Sequence, residues 1–158
     1  MENQNAGTYS ISESAIIPAR RERVYSILAN YNDGHPRILP KQFNSLVVEQ
    51  GGVGAGTVIR FRMNVLGKTQ NFHGEISEPE PGRILVEKYL EPQGIVTTFT
   101  IDPGTAPADC RVTISTTAPV PKGFRGVIEK ALSPLLLRPI FRQELANLAR
   151  VATGPFAR

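Results

Sequence analysis

TVIRFRMNVLGKTQNFHGEISE, residues 57–78, is written in period two. Thr57, Ile59, Phe61, Met63 and Val65 fall on one side of an extended chain, and Val58, Arg60, Arg62 and Asn64 on the other. That alternation is what a strand with one wet face and one dry face requires. A reversal at Gly67-Lys68 turns the chain. On the return, Phe72, Gly74 and Ile76 share the apolar side while Asn71, His73 and Glu75 take the opposite one. Two alternating runs joined by so short a reversal make an antiparallel hairpin.

The same pattern extends in both directions. Phe43–Gln50 precedes the hairpin, separated from it by Gly51, Gly52, Gly54 and Gly56. Arg83–Leu90, Ile95–Asp102 and Arg111–Thr117 follow it, punctuated by Pro79, Pro81, Gly82, Pro92, Gly94, Pro103, Gly104 and Pro107. Six strands with short connections predict a meander. A seventh strand is expected at Thr8–Ile17, ended by Pro18. A helix is expected over Ala19–Asn30, where Val24, Ile27 and Leu28 keep helical spacing. Asn32, Asp33, Gly34, Pro36 and Pro40 are turn chemistry, with room for a short helical turn at Ile38-Leu39.

Beyond Pro121 the period changes to that of a helix. Phe124, Val127, Ile128, Ala131, Leu132, Leu135 and Leu136 recur at i, i+3, i+4 and i+7, and Ile140, Phe141, Leu145, Leu148, Ala149 and Ala152 continue the stripe. Pro134 and Pro139 each remove a backbone donor and are expected to bend or break this helix. The reading is therefore α+β. A seven-stranded antiparallel sheet has one face that must be covered, and the last helix is the element long enough to cover it. A curved sheet around one helix leaves space suited to a small molecule. Residues 1–158 are expected to form one domain, with 1–7 a loose tail.

Composition narrows the function. Hydrophobic residues are 41% and charged residues 20% of the 158, which excludes wholesale disorder. One cysteine, Cys110, excludes an internal disulfide, and two histidines leave little for a histidine-rich metal site. The net charge of +4 gathers late, at Lys122, Arg125, Lys130, Arg138, Arg142 and Arg150, and reads as a solvated helix face. Basic residues neither run together nor alternate with aromatics, so nucleic acid is not expected as a partner. No run approaches the roughly 20 apolar residues of a membrane span. The polar start does not resemble a signal peptide. A cytoplasmic protein, monomeric or homodimeric, is expected. The glycines at 51–56 lack the lysine and following helix of a phosphate loop, and no Gly-x-Ser-x-Gly elbow occurs.

Several phrases, taken in order, resemble the SRPBCC or START-like superfamily, whose fold is the helix grip. They are Ile17-Pro18-Ala19 leading into a helix with Val24 and Leu28, Gly54-Ala55-Gly56-Thr57 entering a strand, and Glu78-Pro79-Glu80-Pro81-Gly82-Arg83 between strands. Thr97-Thr98-Phe99 follows, and then the terminal Leu137-Arg138-Pro139-Ile140-Phe141-Arg142-Gln143-Glu144-Leu145 with Leu148. Among its branches the chain is most similar to bacterial polyketide cyclase/dehydrase-like and lipid-transport-like members. The resemblance covers about residues 9–152. It implies a sheet wrapped round a long C-terminal helix, two short helices after the first strand, and a hydrophobic ligand cavity between sheet and helix. It implies no shared catalytic motif. No cofactor and no metal are expected.

The expected wall of that cavity is Phe61, Met63, Phe72, Phe99, Phe124, Ile128 and Leu132. Three polar residues are candidates for orienting a ligand or moving a proton. His35 borders the expected entrance, and histidine titrates near working pH; its plainer reading is an exposed loop residue. Tyr89 and Tyr31 could place hydroxyls in a pocket or at its mouth; their plainer reading is core packing. His73 is expected to face solvent. Arg60 and Arg62 are expected to form cross-strand charge pairs on the outer face with Glu75 and Glu87. Cys110 reads as structural. The leading expectation is a binder of a hydrophobic small molecule or lipid. The alternatives are a cyclase, dehydratase or isomerase acting on a polyketide-like or aromatic substrate, and a co-chaperone-like interaction module.

Overall fold

The computed structural model describes residues 7–155; in the last helix the side chains at positions 124, 125, 127, 128, 130 and 131 fall outside the description. The tail expected over 1–7 lies, apart from Gly7, outside the described residues. Strand β1 (Thr8–Ile17) is followed by α1 (Arg21–Ala29) and α2 (Gly34–Ile38). The meander comprises β2 (Phe43–Gln50), β3 (Val58–Val65), β4 (Lys68–Glu80), β5 (Ile84–Glu91), β6 (Val96–Pro103) and β7 (Cys110–Pro119). Helix α3 (Phe124–Thr153) ends the fold. One seven-stranded sheet runs in the order β1-β7-β6-β5-β4-β3-β2, and every pair is antiparallel. This is the helix-grip arrangement expected from the alternation and the terminal stripe.

The hairpin that decided the reading pairs Val65 with Lys68 across Leu66-Gly67, one residue earlier than the expected reversal. Its apolar face is the inner face of the sheet. Ile59, Phe61 and Ile76 are buried, and Phe61 sits opposite Phe72 with the rings stacked at 4.8 Å. Period two carries the inner face across the sheet through Leu85, Phe99, Ile101, Val112, Ile114 and Ile11, all buried. Arg60 and Arg62 are exposed on the other side, and Arg60 pairs with Glu49 of β2. The partner expected for Arg60 was Glu75 or Glu87; Glu75 is exposed, and Glu87 faces inward.

Helix α3 packs along β1, and its buried stripe is Ile140, Phe141, Glu144, Leu145, Leu148 and Ala152. It is continuous through Pro134 and Pro139, so the expected break does not occur. Pro139 and Leu135, whose carbonyl loses its i+4 partner, are both exposed, so water serves that carbonyl. Arg138 and Arg142 reach back to Glu13 of β1 at 3.2 and 3.0 Å. At the far end of α3, the Arg23 guanidinium of α1 donates to the Ala152 carbonyl at 2.5 Å, where the helix dipole favours a cation.

Helix α2 starts four residues before the helical turn expected at Ile38, with Pro36 in its first turn, where a missing donor costs nothing. It is held at one end by Asn147 of α3, whose amide donates to the Ile38 carbonyl at 3.0 Å. At the other end Gly34 lies against α1 so closely that an added methyl would stand 2.6 Å from the Ile27 carbonyl oxygen. Backbone cannot yield as a side chain can. Gly34→Ala is expected to cost roughly 1–3 kcal/mol and to displace His35, the next residue. Thermal melts, and the His35 imidazole resonances by NMR, would check this; an unchanged melt would show that α2 is looser than its packing indicates.

Candidate functional site

Between the inner face of the sheet and α3 lies a cavity of about 120 Å³. Its wall is largely apolar. Phe61, Met63, Phe72 and Phe99, four of the residues expected there, line it together with Leu46, Ile95 and Phe141. Phe124 and Ile128 fall among the side chains outside the description. Leu132 departs from expectation: it is 48% exposed and does not line the cavity. A stripe that runs the length of a helix is read as one buried face, but among the described side chains of α3 the buried hydrophobic ones run from Ile140 to Ala152.

A cluster of polar side chains is set into this apolar wall. Its centre is Glu87 of β5, only 4% exposed. The Tyr31 hydroxyl donates to Glu87 Oε1 at 2.6 Å, and the Tyr89 hydroxyl donates to Oε2. His35 Nε2 stands 3.5 Å from Oε1, while its Nδ1 lies 2.8 Å from the Leu28 carbonyl oxygen, an acceptor that fixes the proton on Nδ1. The His35 ring stacks on Tyr31 at 4.3 Å and meets Phe99 edge-on at 5.6 Å. Opposite the sheet, Glu144 of α3 enters the same cavity and is 3% exposed.

Local structure explains each placement. Leu85, Glu87 and Tyr89 alternate along β5, so a strand that buries Leu85 turns the other two inward. The Tyr89 ring lies over Gly74 of β4, where a methyl would come within 2.8 Å of it; a bare glycine makes room for the phenol. Tyr31 follows α1 and is wholly buried, and the two short helices bring His35 onto it. Glu144 stands three and four residues from Phe141 and Leu148, within the buried stripe.

The electrostatic consequence is a pair of unequal carboxyls. Burial, reinforced by the negative charge of Glu87, pushes the Glu144 carboxyl up to about 8, so at neutral pH it carries its proton. Burial and the same charge on Glu87 raise both Tyr31 and Tyr89 well above the ordinary phenol value, which keeps them as hydrogen-bond donors. The site thus holds a neutral carboxylic acid facing a carboxylate that accepts from two phenols, with an imidazole beside it. Such separation of two titratable groups is the arrangement that assigns one as acid and the other as base. Among the described residues no three metal-ligating side chains converge.

All three polar candidates, His35, Tyr31 and Tyr89, therefore meet on one carboxylate, and His35 is buried instead of exposed. The two glutamates were not anticipated. Glu87 was expected on the outer face, and Glu144 was given no role. His73, expected at solvent, lies outside the cavity on the opposite face of the sheet, 3.5 Å from Glu49. Cys110 is buried at the start of β7.

The profile of the family described as polyketide cyclase / dehydrase and lipid transport matches residues 8–153. Comparison with curated proteins gives no match. Among solved structures, the KanY protein (ms6282) aligns with a TM-score of 0.81 and 26% identity over 94% of this chain and 99% of its own. The Zhui aromatase/cyclase from Streptomyces sp. R1128 aligns at 0.75 and 14% identity, over 92% and 94%. Norcoclaurine synthase from Thalictrum flavum, in complex with dopamine and hydroxybenzaldehyde, aligns at 0.71 and 16%, over 96% and 90%. At such identities the last two speak for the fold. Among the described residues no helix is long and apolar enough to cross a membrane. With its profile match spanning nearly the whole described chain and its sheet wrapped on α3, the chain belongs to the polyketide cyclase / dehydrase and lipid transport family of the SRPBCC superfamily.

Proposed function

We propose that this protein encloses an aromatic or polyketide-like small molecule between the sheet and α3 and transfers protons on it, as a cyclase, dehydratase or isomerase does. The observation that carries this reading is that two carboxyls, Glu87 and Glu144, are buried in one largely apolar cavity. Simple storage of a hydrophobic ligand does not require two buried carboxyls, each of which is expensive to bury. A cavity of about 120 Å³ is close to the size, roughly 150 Å³, that takes up a single benzene ring. Glu87 removes a proton from carbon, Glu144 gives its own to the carbonyl oxygen, and the product is an enol; the reverse transfers restore both carboxyls. The hydroxyls of Tyr31 and Tyr89 hold Glu87 in place. An aromatase/cyclase with the same fold is in keeping with this class of chemistry.

Acetophenone, one ring bearing one enolisable ketone, is the probe. In D₂O the protein is expected to speed deuterium uptake into its methyl group, read by mass spectrometry. Glu144→Gln and Glu87→Gln are each expected to slow that uptake by about 10²-fold or more. Ring-proton shifts of Phe61, Phe72 and Phe99 on titration report binding separately. Binding with no acceleration would reduce the protein to a carrier. The co-chaperone-like alternative has less support, because its filled core is not what these residues form.

A further inference from the structure

We infer that the cavity is built for an aromatic ligand whose polar end is a protonated amine, and that it rejects the matching carboxylate. This rests on the reading of the cavity as a binding site and goes beyond it by naming the charge of the ligand. Three observations carry it.

The first is the inventory of the wall. Its polar members are Glu87, Glu144, His35, Tyr9, Tyr89, Thr97 and Thr116, and among the described residues neither a lysine nor an arginine lines it. The basic residues of α3 that are described reach the outer surface: Arg138 and Arg142 are occupied by Glu13 of β1. A ligand carboxylate entering here would find two acidic groups and, among the described residues, no lysine or arginine. Because a buried charge needs a partner of opposite sign, it would be excluded.

The second is the unequal engagement of the two carboxyls. Glu87 already accepts from Tyr31 and Tyr89 and has His35 beside it. Glu144, by contrast, makes no hydrogen bond to any described residue, although it is buried and lines the cavity. Its oxygens are the acceptors left open to a ligand. An ammonium group has three donors and no acceptor, which complements two carboxyls.

The third is the position of the rings. Phe61, Phe72 and Tyr89 form a contiguous set, with centroid separations of 4.8, 5.1 and 5.8 Å, on the same wall as Glu87. A short aromatic amine can stack on this set while its nitrogen faces the carboxyls, and the ring faces also attract a cation.

The groups facing Glu144 are Glu87 and Tyr89 from β5 and Tyr31 from the segment after α1, with His35 of α2 on the far side of Glu87. Burial and the charge of Glu87 disfavour its ionisation when the cavity is empty. An ammonium ion placed between Glu144 and Glu87 reverses that balance, so binding releases the Glu144 proton. Amine affinity is expected to rise from pH 6 to pH 8.

The test is isothermal titration of the full chain at pH 7 with benzylamine, benzyl alcohol and benzoate, which share one ring and differ in the polar end. Each titration is run in two buffers of different ionisation enthalpy. Expected are an affinity for benzylamine at least 10-fold above that for benzyl alcohol, no binding of benzoate, and a buffer-dependent enthalpy for benzylamine alone. Glu144→Gln, neutral and of the same size, is expected to abolish the buffer dependence and to bring benzylamine down to the level of benzyl alcohol. Benzoate binding as tightly as benzylamine, or equal affinity for all three, would overturn the charge preference and leave the cavity reading intact. Binding of none of the three to folded protein would overturn both.

Discussion

Glu144→Gln is expected to raise the stability of the fold at pH 7 by about 3 kcal/mol, a gain that vanishes near pH 4.5. A carboxyl in the unfolded chain ionises around 4.5, whereas burial and the charge of Glu87 push Glu144 up to about 8 in the folded protein. Between those values the native state holds a proton that the unfolded state has released. Stability therefore falls as pH rises, by roughly 1.4 kcal/mol per unit across the window, and levels off above about 8. Glutamine keeps the size and the neutrality of the protonated acid but does not titrate, so the difference between the two proteins isolates this one group. Chemical denaturation of both proteins from pH 4.5 to 8.5 would show the curves diverging steadily. Parallel curves would mean that Glu144 is ionised in the fold, and the acid assigned to it would be lost. A protein that forgoes this stability at neutral pH does so at the position where a proton donor meets its cavity, which is the trade found at functional sites.

The sheet was legible because its signal is redundant. The alternation of Ile59, Phe61 and Met63 is repeated by Phe72, Gly74 and Ile76, and the paired strands confirm each other's facing. The terminal helix was legible from its spacing, although neither its continuity through Pro139 nor the exposure of Leu132 was. Both depend on which side of α3 meets the sheet, and that is decided by tertiary contact. The apolar wall followed from the sheet. The carboxyls did not, because a charged residue in an alternating strand or an amphipathic helix is assigned to water by default. Yet each left a mark. Glu87 sits two residues from Leu85 and two from Tyr89, so a strand that turns Tyr89 into the pocket carries Glu87 with it. Glu144 falls between Phe141 and Leu148 on the stripe that must be buried. Periodicity that contradicts polarity was the available signal, and it points to a functional residue more often than to an error of facing. For His35 the obstacle was different. Asn32-Asp33-Gly34 reads as an exposed turn, and only the close approach of Gly34 to Ile27 folds that turn inward.

Glu87→Leu is expected to destabilise the protein by about 2–4 kcal/mol, in spite of removing a buried charge. Leucine fits the space and suits the apolar wall, so packing is not the source of the loss. The hydroxyls of Tyr31 and Tyr89 would lose their acceptor together, and His35 Nε2 its neighbour. Tyr31 is only 1% exposed and has no route to water, so its hydroxyl bears the full cost of an unmade bond. Tyr89 lines the cavity, where water can take the acceptor's place at smaller cost. Against these losses stands the cost of burying the Glu87 charge itself, which an apolar replacement recovers. Glu87→Gln should lose less, because its amide oxygen still accepts from one tyrosine while the buried charge is removed equally. In both variants the Glu144 carboxyl is expected to titrate below about 8, with burial alone left to hold it up. Urea denaturation would rank the three proteins as wild type, Gln and Leu, and the ¹³C resonance of the Glu144 carboxyl would report its titration. If Leu and Gln proved equally stable, the phenols would not depend on Glu87. If the Glu144 titration stayed where it was, the two carboxyls would not sense one another, and the division into acid and base would have no electrostatic ground.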